Sequence, residues 1–187
     1  MLLSAHKELK EEIKALPEKE KDKLLLRLIA KDKVLTEHLH FKLLENEEDL
    51  AARQEALTSV MDEVLSQIAT QGMRDPKSAL SQFRKLISSV NHHAKVTKDA
   101  VSAFELKLHL LLQVPLDYKV GRFSAMSRFS EKLSIYFIKA VASLLTGYRK
   151  LHEDIQYDLK DDMNALLLKA APYKDVIHTA APLPDQV

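Results

Sequence analysis

Apolar residues recur every three or four positions along almost the whole chain, the spacing that lines one face of an α-helix. The widest apolar arc lies over residues 123–151, FSAMSRFSEKLSIYFIKAVASLLTGYRKL. At about 100° per residue, Met126, Phe129, Leu133, Phe137, Ala140, Leu144 and Leu151 share a face. Tyr136, Ile138, Val141, Leu145 and Tyr148 widen that face to roughly 200°, beyond the stripe of an ordinary surface helix. Arg128, Glu131, Lys132, Lys139, Ser143 and Lys150 form the polar strip. A helix so apolar needs several neighbours to cover it, so this stretch is read as the core helix.

Caps and breakers divide the remainder. Ser4 caps a first helix reaching about Leu16, with Leu9, Ile13 and Leu16 inward. Pro17 starts a second, carrying Leu24, Leu25, Leu28 and Ile29. Lys31-Asp32-Lys33 breaks it before a third with Val34, Leu35, Leu39, Leu43 and Leu44. Asn46 and the acidic Glu47, Glu48 and Asp49 open a fourth, which Gly72 ends. Asp75 and Pro76 give the fifth an N-cap and an N1 proline, with Leu80, Phe83, Leu86, Ile87 and Val90 as its face. Residues 91–95 read as a loop, Thr97 as the next cap, and Val101, Phe104, Leu108, Leu111 and Leu112 as the sixth face. Residues 115–121 interrupt the pattern, and the period resumes through Ile155, Leu159, Met163, Leu167 and Ala170.

These signals predict an all-α fold. The expected architecture is a single-domain multi-helix bundle or stacked helical array of about seven to eight helices. It covers residues 1–171, and the tail over 172–187, with prolines at 182 and 184, reads as poorly ordered. No repeat and no long Gly/Ser/Pro linker marks a boundary.

Composition agrees. Three glycines in 187 residues and abundant Leu, Ala, Lys and Glu favour helix. The absence of cysteine removes disulfides, thiolate metal sites and thiol nucleophiles. The start MLLSAHKELKEE has no apolar h-region, and the longest apolar run falls short of about 20 residues. A soluble, cytoplasmic protein is expected.

HKELKEEIKALPEKEKDKLLLRLIAKDKVLTEHLHFKL, then an acidic start, a long helix and PKSALSQFRKLI, resembles a group of small all-helical bacterial proteins catalogued as a domain of unknown function. The likeness spans roughly the first 110 residues. It implies an all-helical fold and carries no site residues.

Candidate chemistry is sparse. Glu37-x-x-His40 has the spacing of helical di-iron ligands, but that site needs a second such pair and further glutamates. Glu105 and His109 are four apart. His152, Glu153 and Asp154 are sequence neighbours whose side chains diverge on a helix, so acid–base work by them has no support. No phosphate loop, G-x-S-x-G elbow or H-E-x-x-H occurs. Neither a metal nor a cofactor is expected.

Charge is the informative feature. Residues 1–72 carry a net of −4, residues 73–150 a net of +9 with 14 basic against 5 acidic side chains, and residues 151–187 a net of −4. Arg84, Lys85, His92, His93, Lys95 and Lys98 form the candidate anion-binding group. Acidic terminal segments that pack on this middle would instead neutralise it. The preferred reading is a non-enzymatic helical interaction module that binds a protein partner or itself, with no membrane association. The alternative is a nucleic-acid or polyanion binder using residues 73–150, and a helical metalloenzyme is the remote third.

Overall fold

The computed structural model describes residues 5–70, 75–118, 121, 124, 126–176 and 183–187. Ser4, Gly72, Phe123 and Pro182, assigned local roles above, lie outside these residues, as do Arg74, Lys119 and Arg122 of the basic segment. Among the described residues the chain is all-α, with nine helices and no strand. They are α1 (Lys7–Ala15), α2 (Glu18–Ile29), α3 (Lys33–Leu44), α4 (Glu47–Thr70), α5 (Pro76–Thr97), α6 (Ala100–Gln113), α7 (Ser127–Tyr148), α8 (Glu153–Asp158) and α9 (Lys160–Ala170). A 3-10 turn over Ala171–Val176 follows.

The chain divides into two compact units, residues 1–46 and 47–187. The joint has no linker composition; it is only the Glu45-Asn46 pair between two helices. In the first unit α2 packs on α3. Asp32 accepts from Leu35 N at 3.0 Å and caps α3, and Thr36 Oγ1 donates to Ile29 O across the break at 2.9 Å. No side chain of α1, α2 or α3 is buried. Leu9, Leu24, Leu25, Leu26, Leu28, Leu35, Leu43 and Leu44 are all exposed, Leu44 at 74%. Local caps and the half-buried Ile29, Val34, Leu39 and Phe41 are thus the contacts these helices have, without a buried core.

The second unit has a true core, and α6 lies at its centre. Helices α4, α5, α7 and α9 all pack against it, and every residue from Val101 to Leu112 is buried or half-buried. The stretch read as the core helix shares this role. In α7 Leu133, Phe137, Val141 and Leu144 are buried as the periodicity predicts, and the strip from Arg128 to Lys150 is exposed. Yet α7 keeps an exposed face and α6 does not. Gly147 is the last but one residue of α7, and a Cβ there would make ordinary contact with the Phe104 ring at 3.7 Å.

A helix packed by neighbours on four sides must pair most of its polar groups, because little water reaches them. Four of the five polar side chains of α6 have a partner on a neighbour, and the fifth, Gln113, is exposed. Ser102 meets His93 of α5 at 2.9 Å, and Glu105 accepts from Gln54 of α4 at 2.7 Å. Lys107 donates to Ser143 of α7 at 3.2 Å, and His109 donates to Asp62 of α4 at 2.6 Å. Asp99 caps the N-terminus through Ser102 N at 2.6 Å. Lys169 of α9 caps the C-terminus, donating from Nζ to the carbonyls of Leu111, Leu112 and Val114 at 3.0, 2.7 and 2.6 Å.

The described part of the tail packs on this unit. Leu183 and Val187 lie against the core. Val187 N donates to Asn164 Oδ1 at 2.9 Å, and Lys174 donates to Asp185 at 2.7 Å.

Lys169→Met keeps the stem packed and strands three carbonyls at the end of a buried helix. It should destabilise the protein by about 1–3 kcal/mol, while Lys160→Met, at an exposed site one helix end away, should be near neutral. Denaturant midpoints of the two variants check this.

Candidate functional site

The basic middle segment is organised by α5. Asp75 Oδ1 accepts from Lys77 N and Ser78 N at 3.1 and 3.0 Å, and Pro76 fills the first helical position. From there the helix runs unbroken to Thr97. The loop expected over 91–95 is therefore helix. The apolar period continues through it, with Val90, His93 and Val96 buried on one side. Thr97 is not the cap of α6. Its hydroxyl donates to His93 O at 2.9 Å, and Asp99 takes the capping role. Lys98 ends α5 in the left-handed conformation, φ 58°, at a position that favours glycine and so carried no sequence signal.

The inward face and the outward face of α5 differ completely. Lys77, Ser81, Arg84, Lys85, Ser88, His92 and Lys95 are exposed and fall within an arc of roughly 100° at the helical period. No Asp or Glu occurs anywhere in the 22 residues of α5. A groove flanks the helix on each side. One, about 610 Å³, lies between α4 and α5 and is lined by Arg53, Leu57, Val60, Ser89, His92 and His93 among others. The other, about 460 Å³, lies between α5 and α7, with Lys77, Leu80, Ser81, Arg84, Lys85 and Phe129 at its walls. Ser88 lines both.

The six candidate anion ligands are not one cluster. Arg84 and Lys85 belong to the α5–α7 groove, and His92 and His93 to the α4–α5 groove. Lys95 stands on the exposed stripe, and Lys98 is the C-cap. His93 turns inward, 7% exposed, with Nε2 against Ser102 Oγ. Burial first, then the nearby Arg53 charge, holds its pKa below the usual histidine value, with Asp99 opposing and His92 adding to the depression. A neutral, internally bonded His93 offers no charge to an anion.

Sequence reasoning missed Lys77 and Lys132. Their ammonium groups lie 5.8 and 5.7 Å from the centroid of the Phe129 ring, and the Arg84 guanidinium lies 5.4 Å from that of Tyr136. Lys77 was findable, since it precedes Arg84 by seven residues, two helical turns. The pairing with rings of α7 was not. Among the described residues Arg84, Lys85, Lys95 and Lys98 form no ion pair.

The other titratable groups act at helix ends and between helices. His40 Nδ1 donates to Glu45 Oε1 at 2.7 Å, just beyond α3, so the Glu37-x-x-His40 spacing does not leave His40 free as a ligand. Glu105 and His109 each bond to α4. His152 is the N-cap of α8, accepting at Nδ1 from Asp154 N. Among the described residues no three His, Asp or Glu side chains gather in a metal-binding group. A third cavity, about 400 Å³, holds Lys169, Asp117 and Tyr173. Burial lowers Lys169 to about 8 and, with the Asp117 bond at 2.6 Å, raises Tyr173 to about 12. This resembles an activated amine, but all three ammonium protons are committed to carbonyls of α6.

Comparison with protein families, with curated proteins and with solved structures found no match.

His93 sets a pH dependence. Its folded pKa lies below 6.5, so between the two values the unfolded chain binds a proton that the folded chain refuses, and stability rises with pH. Stability should fall as pH drops below about 6.5. His93→Gln, which keeps a hydrogen-bonding side chain, should lose part of that decline. Denaturant midpoints at pH 7.5 and 5.5 for both proteins check this.

Proposed function

We propose that this protein is a non-enzymatic helical interaction module that binds a protein partner through the leucine faces of its amino-terminal unit. One observation carries the reading: α2 and α3, with four leucines each, and α1 bury no side chain. Their eight exposed leucines are together equivalent to about four fully exposed ones, and contiguous exposed apolar surface marks interaction sites. Leu24, Leu25 and Leu28 lie within roughly 100° on α2, the arrangement of a helix that lays its apolar face on another. The titratable groups of the other unit support the same class of function, since those described above hold helices together.

Charge favours a second copy of the chain as the partner. Residues 1–46 carry ten Lys or Arg and nine Asp or Glu, so two such units meet without net repulsion. Alternation of the signs, as in Glu18-Lys19-Glu20-Lys21-Asp22-Lys23, allows a self-complementary contact about a two-fold axis. No helix among the described residues is long and apolar enough to cross a membrane. The cysteine-free composition suits a reducing compartment, and cytoplasmic residence belongs to the same proposal.

Sedimentation velocity from 1 to 100 μM tests the reading. Concentration-dependent self-association is expected. Leu24→Gln/Leu25→Gln/Leu28→Gln should abolish it and leave the unfolding midpoint of the monomer unchanged, because each leucine buried at the contact contributes about 1.5–3 kcal/mol, tenfold or more in affinity. A wild-type monomer throughout the range removes the second copy as partner. If the three substitutions instead lower the unfolding midpoint of the monomer, the leucines are covered within the chain and the docking reading fails.

A further inference from the structure

We propose that the exposed stripe of α5, with the α5–α7 groove beside it, binds single-stranded nucleic acid. This goes beyond the protein-interaction reading and stands on the second unit alone. Lys77, Arg84 and Lys95 lie within roughly 20° of one line along the helix, and Lys85 flanks them. From Lys77 to Lys95 the row covers about 27 Å at roughly 1.5 Å per residue. Serine hydroxyls at Ser81 and Ser88 are exposed between the cations. A row of this length suits a succession of phosphates and not one small anion.

The carboxylates nearby do not cancel it. Asp75 precedes the row, but its Oδ1 is committed to two backbone N–H groups. Glu131 is exposed on α7 between the groove residue Phe129 and Lys132, whose ammonium lies over the Phe129 ring. Arg84 is held over Tyr136, and Lys77 and Lys132 over Phe129. Those contacts place the charges at the groove while the chain is free of ligand.

The apolar lining selects among polyanions. Leu80 and Phe129 line the groove beside the cations. A nucleobase has an apolar face to set there, whereas inorganic polyphosphate has none. Duplex recognition by a helix requires that helix to enter the major groove. Here α4 and α7 flank α5 and leave only a narrow stripe outward. A flexible single strand can follow that stripe and turn a base into the groove.

Fluorescence anisotropy of a labelled fifteen-nucleotide thymidine oligomer, titrated with the full chain at 50 and 200 mM salt, tests the proposal. Four phosphate contacts on a single strand predict a fall in affinity of about fifty-fold between the two salts. Lys77→Gln/Arg84→Gln/Lys85→Gln/Lys95→Gln should abolish binding and its salt slope, with the circular dichroism spectrum unchanged. Lys139→Gln/Arg149→Gln/Lys150→Gln/Lys160→Gln removes the same charge from other exposed positions and should retain both. Lys85→Gln/Lys95→Gln touches neither ring, so it remains informative if the fourfold variant loses its fold; it should remove about half of the slope. No binding at 50 mM, equal loss in the two fourfold variants, or equal affinity for inorganic polyphosphate or a fifteen-base-pair duplex would overturn the proposal.

Discussion

The structure of the second unit depends on the packing of four helices around α6. Burying most of a helix keeps water from many of its polar side chains and from its unpaired terminal carbonyls. Each such group then costs about 1–3 kcal/mol unless a protein partner meets it. The chain meets this demand from four directions. His93 comes from α5, Gln54 and Asp62 from α4, Ser143 from α7 and Lys169 from α9. Leucine packing alone tolerates sliding of one helix along another. A hydrogen bond between named atoms does not, so these pairs fix the register of every neighbour. The outward stripe of α5 follows from the same constraint. With His93 and Val96 turned toward the core, Lys77, Arg84 and Lys95 are left facing out.

The first unit lacks any comparable constraint. Its three helices run from nine to twelve residues, and isolated helices shorter than about 12–15 residues are marginal in water. Asp32 supplies a cap, and acidic side chains in the first turns of α1 and α2 suit the helix dipole. Such terms are worth tenths of a kcal/mol to about one each, too little to hold leucines in water in a fixed arrangement. In the proposed association, burial of these leucines against a second copy supplies the missing term and couples folding of the unit to binding.

Local chemistry was legible in the sequence wherever neighbours in the chain decide the outcome. Asp75-Pro76 and Lys31-Asp32-Lys33 mark helix boundaries because capping involves residues two or three apart. The polar strip of α7 was legible because helical period sorts charge from core. Long-range pairing was not. Glu105 and His109 read as sharing one face of α6, and only partners 51 and 47 residues away reveal them as contacts with α4. The His92-His93 pair read as a loop because histidines often end helices, while the burial of His93 depends on Ser102. Of the candidate site, the excess of positive charge was visible. Its division between two grooves was not, because Phe129, Tyr136 and Arg53 come from other helices.

Hydrogen exchange read by residue on the full chain tests the central contrast between a core built around α6 and a unit that waits for a partner. In dilute solution the amides of residues 101–112 should exchange only through global unfolding, while those of residues 18–44 exchange near the rate of an unfolded chain. Raising the protein concentration should protect the second set and leave the first unchanged. Equal protection of both sets at every concentration would contradict the account, as would faster exchange in α6 than in α7.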